Sequence, residues 1–457
     1  MPRIDEMPYD PQLPQLNTVT DTATMREVFQ EQLPGFAENR LLINRLKLIQ
    51  FSYNPGKRCS VGYLLAVRDI IEDKEGHQIF FGVMKPESNI RERLANAIHD
   101  DLVEPEFGPP VFALPQLDMV LWGFPNDAHM KQLPLMIDNT AFAETLQQHW
   151  DCFRLSPEVQ LKNTFTEVVK YVPQSRCTLR HKLHLSNSSD LIIYSKTFAT
   201  RNFSKRTYLT MQALWNATRN HTNEMYIPEP FFYKTETNTI FMRGVSGENL
   251  DSHLDKIDLP SAVAGIGSGL ARIHRCEVED LPVQNDHIAV AKLAQAETFL
   301  SKSDAAFKPR VEAITEDLLK RYHNLTPVEP TPIHGAFRLS QLLLVNGNFV
   351  LIDFDDFLMA NPILDITSFI GHLLYLTLKG KLPAEECYVA IPRFCQAYEK
   401  QASRKLPEDQ LIWHTAAQLV SKQAKKCVRL GKKDYHKTVN RLFDMAEGIL
   451  GGEIKLN

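Results

Sequence analysis

The sequence is poor in the residues and runs that mark several common protein classes. Only seven cysteines occur in 457 residues: Cys59, Cys152, Cys177, Cys276, Cys387, Cys395 and Cys427. Their number is odd, they are scattered, and no Cys-x-x-Cys pair is present. A disulfide framework or a zinc ribbon is disfavoured, and reduced thiols in a cytoplasm are expected. There is no surplus of positive charge: Lys+Arg 51 against Asp+Glu 55 gives a net charge of −4. No nucleic-acid partner is expected, because such proteins usually carry a basic footprint. The fifteen histidines show no His-Glu-x-x-His spacing, and no Gly-x-Ser-x-Gly elbow occurs, so zinc protease and serine hydrolase chemistry are disfavoured. The longest apolar stretch, PILDITSFIGHLLYLTL, starts at a proline and carries Asp365 and His372. A membrane-spanning helix needs about 20 mainly apolar residues, so this stretch reads as a buried helix of a soluble protein. The start, MPRIDEMPYD, has no apolar segment after a basic one and does not resemble a secretory signal.

What is present is the composition of a globular chain, 44% hydrophobic and 23% charged. Length alone suggests about three domains, or one large two-lobed domain. An internal echo favours a particular division. LIQFSYNPGKRCSVGYLLAV with HQIFFGVMK resembles TEVVKYVPQSRCTLRHKLHL with DLIIYSKTF. Tyr53, Pro55, Arg58 and Cys59 match Tyr171, Pro173, Arg176 and Cys177 at a constant offset of 118. Upstream, Pro8 and Asp10 match Pro125 and Asp127 at 117. Each unit predicts a short helix (TATMREVFQEQL, AFAETLQQHW), a strand, a tight turn, a second strand, a polar loop and a third strand. From about residue 246 onward, three-to-four spacing of apolar residues predicts helices. They are interrupted by LLLVNGNFVLIDFDDF, where Asn346-Gly347 marks a hairpin. The expected organisation is residues 1–123 as a first strand-rich unit, 124–245 as a second, and 246–457 as a helical lobe, an α+β arrangement.

The most informative passage is TPIHGAFRLSQLLLVNGNFVLIDFDDFLMANPILDITSF. His334-Gly335 opens a polar loop, two hairpin strands follow, and Ile352-Asp353-Phe354-Asp355 places an acid just after a buried strand. A carboxylate aimed back at such a loop suits magnesium, which binds through one or two carboxylates plus substrate phosphates. Taken alone, Asp353 would more often cap a turn. Asp355 and Asp356 can be a second metal ligand, a substitute base, or acids that bind a neighbouring arginine.

In order and spacing, His-Gly, the hairpin, Ile-Asp-Phe-Asp and Asn361-Pro362 before Asp365-Ile366 resemble the aminoglycoside phosphotransferase and choline kinase family. That resemblance spans roughly residues 160 to 400. It implies a protein-kinase-like bilobal fold, ATP with Mg2+ as cofactors, and a small hydroxylated acceptor. Ile266-Gly267 to His274 is similar to the helix upstream of the catalytic loop. Phe241 to Gly247 resembles the crossing between lobes where adenine sits, which makes Arg243 a nucleotide candidate. Lys196 in LIIYSKTF resembles the phosphate-binding lysine; its bland alternative is an exposed strand lysine. Asp353 and Gln341 take the metal positions. Asp365 and His334 are expected to order the loop rather than touch substrate.

The departures are as informative. The family pattern is His-Gly-Asp with an Asn five residues later; here those positions are Ala336 and Gln341. Alanine cannot orient a hydroxyl proton, and loss of a positioned base costs about 10²–10⁴ in rate. No acid occurs between Leu191 and Asn223, so Lys196 lacks the helix glutamate that holds a kinase lysine. The turn Pro173-Gln174-Ser175-Arg176 contains no glycine, although Arg176 can offer a charged fork to phosphate; it can equally be a surface arginine. In the first unit Val83 aligns with Lys196, so that unit is expected to be a spare small lobe, for packing or for binding a protein partner. Residues 422 to 441 hold eight lysines and arginines against Asp434. They are either a solvated face or an attractant for an anionic substrate, an acidic protein or a membrane surface. Two functions fit: a divergent ATP-dependent phosphotransferase, or a pseudokinase-type protein that binds nucleotide or metabolite and acts through a partner.

Overall fold

The computed structural model describes residues 10–86, 89–220, 225–431 and 434–456. Pro8, Lys432 and Lys433 of the sequence patterns lie outside them. Two helices, α1 (Leu16–Thr20) and α2 (Thr22–Gln32), open the described chain. Strands β1 (Leu41–Asn54), β2 (Arg58–Asp69), β3 (Lys74–Met84), β4 (Val111–Leu114) and β5 (Met119–Gly123) form one antiparallel sheet in the order β1-β2-β3-β5-β4. Helix α3 (Ile90–Ala97) lies between β3 and β4. The sheet is held to α2 by apolar side chains, with Phe29 edge-on to Tyr63 at 5.2 Å and Tyr63 Oη donating to Val19 O at 2.6 Å.

After α4 (Asn139–Gln148), strands β6 (Leu161–Val172), β7 (Arg176–Leu185) and β8 (Asp190–Phe198) begin a second sheet. Helix α5 (Arg201–Thr218) and the short β9 (Met225–Tyr226) follow, then β10 (Pro230–Lys234) and β11 (Thr239–Arg243). The order β6-β7-β8-β11-β10 repeats that of the first sheet. Strict alternation along β7 buries one face, as a half-covered antiparallel strand requires.

The echo at offset 118 is also an echo of hydrogen bonds. Tyr53 pairs with Cys59, and Tyr171 with Cys177. A bulge falls between Ile43 and Arg45 in one unit and between Leu161 and Asn163 in the other. Asp10 Oδ2 accepts from Tyr53 Oη at 2.9 Å and from Gly56 N at 2.7 Å. Asp127 Oδ2 accepts from Tyr171 Oη at 2.7 Å and from Gln174 N at 2.8 Å. Each buried carboxylate thus clamps a hairpin turn. At the matching position, with positive φ, the first turn has Gly56 and the second Gln174. Only glycine takes that conformation without cost. The turns also touch, through Arg58 Nη2 donating to Gln174 Oε1 at 2.9 Å. The units differ at the edge. β1 buries Leu46, Leu48 and Phe51, whereas β6 leaves Phe165 and Val169 more than half exposed.

Beyond β11 the chain crosses into the helical lobe, tied by Gly244 N donating to Ile192 O at 2.8 Å. After β12 (Glu248–Asn249) come α6 (Leu259–Ile273), α7 (His287–Ser303) and α8 (Lys308–Tyr322). Strands β13 (Thr331–Ile333), β14 (Leu342–Val345), β15 (Asn348–Leu351) and β16 (Leu358–Ala360) carry the motif-bearing loops. Asn346 and Gly347, both at positive φ, turn the β14–β15 hairpin. Helices α9 (Ile363–Leu378), α10 (Ala384–Ala402) and α11 (Glu408–Gln418) follow. A π-helical turn at Leu419–Ala424, α12 (Lys425–Arg429) and α13 (Tyr435–Leu450) complete the lobe. The apolar stretch containing Asp365 and His372 is α9, buried along most of its length. Among the described residues no helix is long and apolar enough to cross a membrane. The α+β, two-lobed arrangement with a strand-rich unit in front is the one the motifs imply.

The clamp makes a quantitative expectation. Replacing Asp127 with Ala leaves the Tyr171 hydroxyl and the Gln174 amide without their acceptor, so it should cost about 2–4 kcal/mol, whereas Tyr171→Phe should cost only about 1 kcal/mol. Urea unfolding of the two variants checks the ratio; equal losses would mean that the hydroxyl alone carries the clamp.

Candidate functional site

The site is assembled from two loops that the short β13–β16 pair brings together, with Ile333 opposite Leu358. Gly335 stands at φ 78°, and a Cβ on it would clash with the Asp356 carbonyl oxygen. The glycine of His-Gly is therefore required both by its backbone conformation and by the close approach of the acidic loop. Asp365, wholly buried at the first turn of α9, fixes the other side. Its carboxylate accepts from His334 N at 2.6 Å and Gly335 N at 2.9 Å. It also contacts His274 Nε2 at 3.1 Å, and His274 Nδ1 lies 2.9 Å from Tyr398 Oη. Burial works to raise the Asp365 pKa, but the His274 hydrogen bond and charge, with His334, hold the carboxyl below its usual range. His334 is fully buried and its Nε2 donates to Ile352 O at 3.0 Å. It therefore ties the loop to the strand before Asp353.

Asp353 is in the left-handed region, φ 72° and ψ 68°, a strained conformation for a non-glycine residue of the kind that clusters at functional sites. The turn aims it at the second sheet. Lys196 Nζ, on β8, donates to Asp353 Oδ1 at 2.8 Å and to Asp355 Oδ1 at 2.5 Å. Arg176 Nε lies 3.0 Å from Asp355 Oδ2. Gln341 Nε2 donates to Asp353 Oδ2 at 3.3 Å. Five of the residues expected from sequence thus meet in one cluster across the lobes. Burial pushes the Asp353 pKa up, but the charge and hydrogen bond of Lys196, helped by Lys170 and Arg176, overcome it and keep the carboxyl well below normal. Burial raises Asp355 against the pull of Lys196, and the neighbouring Asp353 charge adds to the rise. The structure supplies the partner for Lys196 that α5 does not provide: Asp355 stands in for the missing helix glutamate. Held between Lys196 and Arg176, it is placed as an anchor.

Arg243 is not part of this cluster. Its Nε donates to Glu229 Oε2 at 2.9 Å and its guanidinium lies over Phe231 at 4.9 Å. It ends β11 where the chain leaves for the helical lobe. Two groups were not singled out from sequence: Lys170 on β6, whose charge acts on Asp353, and Arg338, two residues after Ala336, whose charge acts on Lys170. Arg338 was legible in HGAFR as a cation inside the loop; Lys170 had no signal, because its nearness depends on the fold of the hairpin over the cleft.

Among the described residues no group of three or more His, Cys, Asp and Glu side chains converges to hold a metal ion. The strained carboxylate and the amide fit a cation completed by substrate phosphates rather than an all-protein cage, and the lysine suits those phosphates. The buried network under the loop gives a pH expectation. A depressed carboxyl pKa contributes stability that is present above the ordinary carboxylate range, near pH 3.9, and lost as pH falls through the folded-state value. The melting temperature should therefore drop below about pH 4, and Asp365→Asn should cost about 3–5 kcal/mol at pH 7 and flatten that acid limb. Thermal unfolding of both proteins between pH 3 and 7 measures it; an unchanged acid limb would remove Asp365 as its source.

Residues 203–401 match the model of a family described as the phosphotransferase enzyme family. No curated protein matches the chain in sequence. Similar solved structures include a choline/ethanolamine kinase family protein from Mesorhizobium loti, with 12% identity and a TM-score of 0.43, covering 63% of this chain and 88% of that one. A choline kinase from Cryptosporidium parvum Iowa II has 12% identity and a TM-score of 0.46, covering 67% and 95%. A spectinomycin phosphotransferase in complex with ADP and spectinomycin has 11% identity and a TM-score of 0.44, covering 68% and 98%. Over residues 203–401 the chain carries the pattern of the phosphotransferase enzyme family, the one that its His-Gly and Ile-Asp-Phe-Asp motifs resemble.

Proposed function

We propose that the chain is a divergent ATP-dependent phosphotransferase that passes a phosphoryl group to a hydroxyl of a small molecule. The observation that carries this reading is the Lys196–Asp353 contact, 2.8 Å long between residues 157 apart in sequence. It brings together a cation suited to phosphate and a carboxylate suited to a metal ion, which supports the reading. Lys196 and Arg176 would bind nucleotide phosphates, and Asp353 with the Gln341 amide would hold Mg2+, which neutralises phosphate charge when bound. The acceptor oxygen bonds to the γ-phosphorus as the bond to the β–γ bridging oxygen breaks, and ADP leaves. The hydroxyl proton passes to an oxygen of the transferred phosphoryl group or to water, since position 336 carries a methyl group and Asp355 is held by Lys196 and Arg176. Such a step survives without a base because the transition state is loose and depends mainly on positioning and charge.

The second reading, a pseudokinase-type binding protein acting through a partner, is favoured by Ala336 itself and by the strand-rich unit in front. In it the first unit is a partner-binding or packing element, with Val83 opposite Ser60 where Lys196 is opposite Thr178.

Thermal stability with ATP, with and without magnesium, tests the nucleotide site. Ligand at 100 times its dissociation constant should add about 2.7 kcal/mol. A magnesium-dependent shift in the wild type that vanishes in Asp353→Ala is expected; no shift at millimolar ATP would refute nucleotide binding. Ala336→Asp separates the two readings. A phosphotransferase should gain turnover, up to about 10²–10⁴-fold, measured as ADP release against a panel of hydroxylated acceptors. A variant that binds ATP but never releases ADP favours the binding protein.

A further inference from the structure

The cationic run after α11 is not one solvated face. Lys425 lies over the Phe299 ring at 5.7 Å, and Lys437 is exposed. Lys422, in the π-helical turn, points instead at α9. The two segments run side by side in register. Gln418 Nε2 donates to Leu364 O at 3.0 Å, Lys422 Nζ to Ser368 Oγ at 2.9 Å, and Cys427 Sγ lies 3.9 Å from Tyr375 Oη. His372 is one turn beyond Ser368 on the same row. It is only 7% exposed, and its Nδ1 has no hydrogen-bond partner among the described residues. The buried Nε of Arg338, in the catalytic loop, is also without one.

These groups form one electrostatic unit. Arg338, Lys426, Lys422 and Lys381 all act on the His372 imidazole, and burial together with these charges pulls it down to about 3. Lys422 is lowered to about 8, first by burial and then by Arg338. Arg338 is felt by Lys170 as well, so it stands within reach of the Asp353 cluster. The acids nearby are fewer. Asp251 Oδ2 is 3.8 Å from His372 Nε2, and Asp356 acts on Lys422. Asp365 also acts on Lys422, but its oxygens are taken by His274 and the loop amides. Arg338, Lys422 and Lys381, brought beside the His-Gly loop from three separate segments, face two available acids and oppose one another in a partly buried place. That arrangement costs free energy unless a negative charge arrives. A π-helical turn is itself a feature frequent at functional sites.

We propose that Arg338, Lys422 and His372, with Lys426 and Lys381 behind them, bind an anionic group of the acceptor, so that this chain phosphorylates a hydroxylated molecule already bearing a phosphate, sulfate or carboxylate. The proposal rests on the phosphotransferase reading for the word acceptor; the anion site itself does not. The shared chemistry could also come from the nucleotide's own terminal phosphate, and the experiment separates the two.

Binding to the full chain, without nucleotide, is measured by calorimetry for matched probes: glycerol against glycerol 3-phosphate, glucose against glucose 6-phosphate, and choline as a cation. At least one phosphorylated member should bind tenfold or more tightly than its parent and than choline, and should weaken as salt is raised. Arg338→Gln and Lys422→Gln should each weaken it tenfold or more, Lys422→Arg should retain it, and Lys437→Gln, at an exposed lysine outside the cluster, should leave it unchanged. Equal binding of neutral or cationic probes, insensitivity to both charge removals in folded variants, or no binding of any phosphorylated probe at millimolar concentration overturns the proposal. A labelled ATP analogue, bound in parallel, reports the nucleotide site. If ATP displaces the ester and loses affinity tenfold in Arg338→Gln and Lys422→Gln, the anion belongs to the nucleotide and the proposal falls. If no nucleotide binds while the ester does so through Arg338 and Lys422, the phosphotransferase reading fails and the anion site stands.

Discussion

Two carboxylates two positions apart, one buried and one partly so, face one lysine from the other lobe. Asp353 and Asp355 cannot both stay ionised in that place without cations, and Lys196 with Arg176 supplies them. The strained backbone of Asp353, the glycine at 335 and the carboxylate beneath the loop are all conditions for that meeting. A kinase-type lysine is usually steadied by a glutamate on the helix after its strand. Here α5 has none, and the chain replaces it from the acidic loop itself. The consequence is a closed arrangement: the groups that would meet phosphate and metal already satisfy one another across the cleft, and ligand binding must exchange those contacts rather than fill a void.

The two strand-rich units show which features belong to the scaffold and which to chemistry. Both have the same strand order, the same hairpin register and the same aspartate clamp. The clamp therefore serves the turn, since it is intact in the unit where valine occupies the lysine register. What the first unit lacks is a cation at that position of the third strand, where Val83 stands, and a helical lobe to face it. Its β1 is covered and its counterpart β6 is open, so similar backbones have been adapted to different neighbours.

Around the His-Gly loop, an alanine at 336 coincides with cations from that loop, from the segment after α9 and from the π-helical turn. A carboxylate at that position would have opposed part of this charge. Its absence and the surplus beside it therefore describe one electrostatic environment, in which transfer would depend on positioning and phosphate charge more than on proton removal.

Much of this was legible along the chain. The repeat was visible because turn chemistry demands particular residues: Tyr53 and Tyr171, Arg58 and Arg176 sit where a tight hairpin fixes them. The loop motifs were visible because Gly335, Asp353 and Asp365 each answer a local backbone requirement. Arg243 was placed with the nucleotide from its position at the crossing, and in the structure it pairs there with Glu229, fourteen residues away. The sequence by itself determined the strands, the hairpins, the buried α9 and the missing acid at 336, since those follow from periodicity, turn residues and composition. Only the tertiary structure decided that Lys196 takes Asp355 as its partner and that Lys422 reaches Ser368 of α9. Those contacts join segments tens to more than a hundred residues apart, and no local propensity encodes which distant charges will share one low-dielectric space.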